Sequence, residues 1–443
     1  NKVLQETFVN HTSFKIAAAA LAVASALSST AYAGGFQLTE QSALALGRAY
    51  AGVGVDGTDV SGMYYNAATM TLHPGTQVQF GAVGVGLNLE YVDHKTGEKN
   101  NGRAKEEVIP HGFISHQIND STWVGLAITV PYGLATDYGD NWSRSDHGTD
   151  AKITVINFNP NAAWKATDTL SLGAGLALQY VDATFGAGAN GIHSEYTATD
   201  FTWGFNVGLM WQPVDNLRFG LSYRSETKHS TNGDVTINSS NPGLTSLNGK
   251  YDASVTVSGP AWAMATAAWD VNDYLSLYAT FRWADWSSFD TLTTTSPSLT
   301  FAVGTLASQL AQKPGMDEAA NQLVEGFQAL GNIKNGWKDT YLMSVGYDLR
   351  VNSFWTLRGG IAYETSPIDN KVNRTAIIPD ADRWWFAIGS SFHWTKDFQT
   401  DIGFAHLHGV HERSLYDRKS GEEVGRYRHL DAYLLGVQMQ YRF

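Results

Sequence analysis

The chain has 443 residues, with 14 Trp, 20 Tyr, 20 Phe and 44 Gly, no Cys and a formal net charge of -12. Zero cysteine excludes disulfides, zinc-thiolate sites and thiol nucleophiles, and the acidic balance argues against nucleic acid as a partner. No apolar run reaches the roughly 18 residues that a spanning helix needs, which excludes a helical membrane protein.

Residues 1–33 read as a signal peptide. Lys2 and Lys15 supply positive charge, Ile16 to Leu27 is an apolar run too short to cross a bilayer, and Ala31-Tyr32-Ala33 is a small-x-small cleavage site before Gly34. Residues 34–76 have no strand pattern. They are small and Gly-rich (GRAYAGVGVDGTDVSG), with a short helical candidate at Thr39 to Gly47. Phe36, Leu38, Leu44, Leu46, Met63, Tyr64 and Tyr65 make this segment too apolar for a disordered leader. It is expected to fold as a plug.

From Gln77 onward, long segments alternate apolar with small or polar residues. In YLLGVQMQYRF, Tyr433, Leu435, Val437, Met439, Tyr441 and Phe443 share one face, because strand side chains alternate with period two. TLSLGAGLALQY and NLRFGLSYRS repeat the pattern, with aromatics toward the ends of the apolar face. Six connections are tight and polar: INDS, KATDT, PVDN, DVND, RVNS and TKDF. Between them fall long ones, roughly 91–104, 136–150, 185–199, 229–250, 289–336, 366–381 and 413–425; short turns alternating with long loops mark an outer-membrane barrel. Counting gives 14 strands, starting near 77, 105, 122, 151, 169, 200, 216, 251, 273, 338, 353, 382, 398 and 426. The expected fold is all-β: a 14-stranded antiparallel transmembrane β-barrel over residues 77–443, with residues 34–76 as an N-terminal hatch in the lumen, since side chains alone do not fill so wide a barrel.

The third strand, WVGLAITVPYGLATDY, breaks its own pattern. Val124, Leu126, Ile128 and Val130 alternate, then Pro131, Tyr132 and Gly133 intervene before Leu134. Proline withholds a ladder donor and glycine permits a bulge, so a gap beside this strand is expected. A second in-strand proline, Pro260 after Gly259, is assigned no gate.

GGFQLTEQSALALGRAYAG at 34–52, PYGLATDY, GLSYRSE at 220–226, the WKDT of Trp337 to Thr340, and LRGGIAYETSPI with IIPDADRWW at 357–385 together resemble the long-chain fatty acid transporter (FadL) family of Gram-negative outer membranes. The resemblance spans Gly34 to Phe443. It implies a 14-stranded barrel with a hatch, passive uptake of hydrophobic molecules, capture at outer loops, hatch rearrangement and lateral exit at the kink Val130, Pro131, Tyr132, Gly133, Leu134. Long-chain fatty acids are the implied ligands in most members and aromatic hydrocarbons in some; a neutral-hydrocarbon channel and a general porin are the alternatives. Outer-membrane lipid and lipopolysaccharide are the expected surroundings, and a monomer the expected state. The hatch residues of interest are Arg48, Tyr50 and Asn66-Ala67-Ala68, the last standing where the family usually has Asn-Pro-Ala.

The resemblance places Gly34, Phe36 and Lys338 at the ligand. By period two Lys338 points to the lumen with Thr340, Leu342 and Ser344; the second basic partner expected near the top of the fifth strand is replaced by Asp182. In the long 289–336 loop, Met316, Ala320, Leu323, Val324, Phe327 and Leu330 recur at helical spacing, so the outer-loop capture surface is expected there, on Leu323, Val324, Phe327 and Leu330. Arg218, Arg224 and Arg358 fall on lumenal faces and are expected to anchor the hatch through Asp56, Asp59 and Glu364. His406 and His408 share a strand face, but no carboxylate follows at ligand spacing, so the segment reads as interfacial and no metal is expected. No nucleophile-His-Asp arrangement is supported by spacing; neither an enzyme nor a cofactor is expected.

Overall fold

A computed structural model describes residues 34–102, 107–140, 142–189, 192–411, 413–417 and 420–443. The expected signal peptide, 1–33, lies outside the described residues. The first described segment, 34–75, is folded inside a barrel. It holds two single-turn helices, α1 (Ala43–Leu46) and α2 (Gly62–Tyr65), and a 3-10 turn, Ala67–Leu72. The helix expected over Thr39 to Gly47 is therefore limited to its second half. Ser42 caps it, accepting from Ala45 N, and left-handed backbone at Ala49 and Tyr50 follows.

The wall has 14 antiparallel strands. They are β1 (Thr76–Asp93), β2 (Glu107–Asn119), β3 (Thr122–Asp137), β4 (Asp150–Lys165), β5 (Leu170–Ala189), β6 (Ile192–Val214), β7 (Leu217–Arg224 and Thr227–Ser239), β8 (Gly249–Gly259 and Trp262–Asp270) and β9 (Leu275–Ala284). The long outer loop follows, with helices α3 (Pro297–Ala311) and α4 (Asp317–Gly331). Then come β10 (Thr340–Arg350), β11 (Trp355–Glu364), β12 (Arg383–His393), β13 (Phe398–Gly409) and β14 (Glu423–Arg442). Neighbours in sequence pair, and β14 closes the ring on β1 from Gln77↔Arg442 to Asp93↔Gly425. Closure pairs the first strand with the last, so the ring has no free end strand, as a membrane wall requires.

The alternation in the sequence becomes two surfaces. Along β14, Tyr433, Leu435, Val437, Met439 and Tyr441 face outward while Ala432, Leu434, Gln438 and Gln440 are buried. Aromatics ring both ends of the apolar belt: Trp164, Trp211, Trp269 and Trp394 near the short turns, Trp203, Phe281, Trp384 and Tyr433 toward the loops. Two expected loops are not loops. The 185–199 segment continues β5 and β6 to the pair Ala189↔Ile192, and 229–250 continues β7 to Ser239 and resumes at Gly249. Above the lipid both faces of a hairpin meet water or other loops, so the apolar period disappears although the ladder persists.

The hatch is tied to the wall by buried polar groups. Gln438 accepts from Ala43 N at 2.8 Å and donates to Asp59 at 2.8 Å. Arg48 pairs with Asp56 within the hatch and with Asp348 of β10 at 3.2 Å, under the ring of Tyr278. Asn66 caps the 3-10 turn through Ala68 N at 3.1 Å and donates to Leu209 O at 2.9 Å. Gly173 permits this approach: a Cβ there would sit 2.3 Å from Ala68 N.

The anticipated salt bridges do not form. Arg218 pairs with Asp270, Arg358 with Asp348 and Asp401, and Glu364 with Arg282 and Arg383. A period-two pattern gives the face a charge lies on, not which neighbouring strand is at its height.

Candidate functional site

The break in β3 rearranges its hydrogen bonds. β3 pairs with β2 only from Asn119↔Thr122 to Gly112↔Ile128. On its other side the register to β4 jumps from Thr129↔Asn157 to Tyr132↔Val155, so Val130 and Pro131 bulge. Above Gly112, β2 keeps its partner in β1 but has none in β3. Thr129 to Leu134 are all buried: the strand has left the wall surface, and Val130 is buried although it alternates with the exposed Val124. The hatch occupies the freed edge. Leu38 N donates to Pro131 O at 2.8 Å, Gly133 N to Phe36 O at 3.0 Å, and Gln41 Nε2 to Val130 O at 2.7 Å, with Val130 N donating to Gln41 Oε1 at 3.2 Å. Residues Phe36 to Gln41 thus satisfy β3 as a short inner strand, which buried backbone groups require.

Phe36 continues from this edge into an aromatic cluster. Its ring lies 4.8 Å from Trp286, 5.5 Å from Phe289, 6.0 Å from Tyr132 and 6.3 Å from Trp337, the first three edge-on. Gly35 donates to Asp380 Oδ2 at 2.6 Å; its φ of 76° suits glycine, and a Cβ would meet Trp337 and Trp286. Burial pushes the Asp380 carboxyl up to about 6, with Arg383 pulling it down. Tyr132 reaches across to Pro260 O at 3.2 Å. That proline lies where β8 breaks, opposite the break in β7 at Ser225 and Glu226, so Pro260 marks a second interruption that packs on the first.

Above the cluster lies an apolar cavity of about 360 Å³ between the β5–β6 hairpin, the upper halves of β7 and β8, and helices α3 and α4. Phe185, Tyr196, Val235, Ile237, Val303, Val324, Phe327 and Ile377 line it, with Ser194, Ser296 and Asn332 among its polar groups. Among the described residues its lining holds no lysine or arginine.

The sequence-selected residues fall as follows. Phe36 is at the cluster and Gly34 beside Glu364, whose Oε1 would lie 3.0 Å from a Cβ on Gly34. Val324 and Phe327 line the cavity and Leu323 packs beside it; the side chain of Leu330 lies outside the described residues. Arg48, Tyr50, Asn66, Ala67 and Ala68 are buried in the hatch. Lys338 does not point to the lumen. β10 begins at Thr340, Trp337 bridges to Ile368 and fills the inside, and the half-exposed Lys338 meets Asp369 at 3.7 Å on the outer surface. Period two does not extrapolate beyond the strand's end. Asp182 is likewise exposed.

Sequence reasoning missed Trp286, Phe289 and Trp337 as the housing of Phe36, and Gln37 to Gln41 as the inner strand. It also missed α3, although Ser296-Pro297 is a cap followed by a first-turn proline and Leu299, Val303 and Leu306 recur at helical spacing. At the outer rim, the carboxylate that spacing denied to His406 and His408 is supplied by Asp431 of β14, 2.7 Å from His408.

A closed barrel with an apolar outer belt, a folded plug and an apolar cavity among its outer loops is an outer-membrane channel of the plugged class. The chain belongs to the family described as "Outer membrane protein transport protein (OMPP1/FadL/TodX)", which matches residues 24–443. It is 28% identical over 476 residues to the long-chain fatty acid transport protein of Escherichia coli K12, covering 96% of this chain and 98% of that one. It is 27% identical over 459 residues to the 47 kDa outer membrane protein of Pasteurella multocida, covering 96% and 97%. The fold is shared with a Pseudomonas aeruginosa FadL homologue (TM-score 0.76, 22% identity, 92% of this chain and 100% of that one). It is shared too with the P. putida toluene transporter TodX (TM-score 0.68, 16% identity, 92% and 99%).

Proposed function

We propose that the chain carries hydrophobic compounds, long-chain fatty acids foremost, passively across the outer membrane. The ligand enters the outer-loop cavity, where tail burial contributes about 0.8 kcal/mol per CH₂. It passes the Phe36 cluster when the hatch residues Phe36 to Gln41 let go of β3, and leaves sideways into lipid between β2 and β3. The observation that carries this reading is the edge of β3, whose wall partner is missing and whose hydrogen bonds are held instead by the hatch. Lipid and lipopolysaccharide surround the wall, and one chain forms the whole route, so the monomer is the working unit. Cells that express the protein should take up labelled oleate, and planar bilayers should show no steady ion conductance with the hatch in place. Steady conductance without oleate uptake would identify a general porin instead.

A second reading, transport of neutral or aromatic hydrocarbons, is favoured by the absence of lysine and arginine from the described lining of the cavity and by the outward position of Lys338. Uptake of toluene but not oleate would establish it. Lys338→Ala should leave both unchanged.

A further inference from the structure

On the outer face of the wall, the loop ends of β13 and β14 bring two imidazoles to one carboxylate. His406 and His408 stand on the same side of β13, and His408 lies directly opposite Asp431 of β14 in the ladder. His408 Nδ1 is 2.7 Å from Asp431 Oδ1, and His406 Nε2 is 3.9 Å from the same oxygen. The three ligand atoms lie within 4.8 Å of one another. Both strands hold their groups in place: the Asp431 side chain is largely buried, and the His406 ring stacks on Tyr433 with 4.8 Å between centres. A hydrogen bond between His408 and Asp431 accounts for those two residues alone. It leaves the buried Nε2 of His406 without a hydrogen-bond partner among the described residues. Such an atom costs free energy unless another group or an ion meets it.

We propose that His406, His408 and Asp431 form a binding site for a divalent transition ion, Zn²⁺ foremost, which clips β13 to β14 at the outer rim. Two imidazoles and a carboxylate are a ligand set for such ions, whereas Ca²⁺ and Mg²⁺ take oxygen ligands. In a tetrahedral site with bonds of about 2.0 Å the ligand atoms stand about 3.3 Å apart, so His408 draws back from Asp431 and His406 approaches it by roughly half an ångström each. Three protein ligands leave the fourth position to water. The ladder partners on either side are Trp384 and Phe386 of β12 and Asn88 of β1, none of them a cation that would compete for the carboxylate. Ala405, Leu407 and Ala432 alternate with the ligands and are buried on the inner face. The ion therefore sits outside the lumen, and the site stands apart from the transport reading.

The experiment titrates Zn²⁺ into the purified mature chain in detergent after chelator treatment, with bound metal followed by equilibrium dialysis. The wild type should hold one ion per chain. His406→Gln and Asp431→Asn should each weaken binding by more than about tenfold, since even an outer-shell partner of a metal site is worth that much. His94→Gln removes an imidazole that faces Glu423 outside any such cluster, and should leave binding unchanged. Zn²⁺ should also raise the thermal midpoint of the wild type and not that of His406→Gln, because an ion bound only by the folded state stabilises it. Equal affinity in wild type and His406→Gln, or an equal loss in His94→Gln, would show adventitious binding to surface histidines and overturn the site. A measurement on the unmutated protein decides the matter if a variant does not fold. Anomalous diffraction at the zinc edge, from crystals grown with one equivalent of Zn²⁺, should place the ion among His406 Nε2, His408 Nδ1 and an Asp431 oxygen; no peak there would overturn the proposal.

Discussion

Leu38 and Pro131 face each other as strand partners, the Leu38 N–H donating to the Pro131 carbonyl at 2.8 Å, although one belongs to the hatch and the other to the wall. The pairing exists because β3 leaves β2 after Ile128 and turns inward. A straight β3 would have no edge to offer the hatch and no opening beside β2.

The double change Pro131→Val with Gly133→Val should restore a backbone donor and β propensity at the kink. Oleate uptake by whole cells is expected to fall several-fold, while binding to the purified protein, read by titration, stays within about twofold, because the cavity is remote from the change. Uptake that stays at the wild-type rate would remove the lateral route.

Val303 of α3 is buried against the outer cavity. Val303→Trp should fill part of the space that a tail would occupy. Displacing two methylenes at about 0.8 kcal/mol each weakens binding by roughly tenfold. The barrel's thermal unfolding in detergent should not move, since α3 packs on loops and the strand tops. Unaltered affinity would place capture elsewhere.

Much of this was legible in the sequence because a lipid-facing wall writes its period into every strand. Thirteen expected strand starts lie within about three residues of the observed ones, as a period-two pattern bounded by turn residues allows. The exception, β6, begins at Ile192 rather than near 200, because its upper part leaves the lipid and loses the period. The kink was legible for a local reason, a proline and a glycine in mid-strand. Its consequence was not, because the pairing of Leu38 with Pro131 spans more than ninety residues and no local pattern encodes it. Lys338 was misplaced because parity was carried past the start of β10 into a loop. The housing of Phe36 was missed because Trp286 and Phe289 sit in irregular chain, where aromatic residues carry no period.

Asp348 lies between two buried arginines, 3.2 Å from Arg48 of the hatch and 3.2 Å from Arg358 of the wall. Without Asp348, Arg48 keeps Asp56 and Arg358 keeps Asp401, so the cost falls below the about 3–5 kcal/mol of a buried charge left without compensation, but a link between hatch and wall is lost. Asp348→Ala should therefore loosen the hatch before it unfolds the barrel. The expected outcome is transient ion conductance in planar bilayers and faster amide exchange at Arg48 to Gly52, with the strand amides still protected. Exchange that rises equally in hatch and wall would show that Asp348 serves the barrel as a whole.

The hold on the N-terminal end of the hatch should depend on pH through Asp380, which lies in the outer loop before β12 and accepts from Gly35 N. Burial raises its pKa from 3.8 to about 6. The folded state then binds its proton more tightly than the unfolded chain does. The stability linked to Asp380 is present in full below pH 3.8 and is lost as pH rises through about 6, by up to about 3 kcal/mol. Asp380→Asn cannot titrate and should lack this component. The difference in thermal midpoint between wild type and Asp380→Asn should shift against the wild type as pH goes from 4 to 7, while a difference that stays constant over that range would show that the carboxylate keeps an ordinary pKa in the fold.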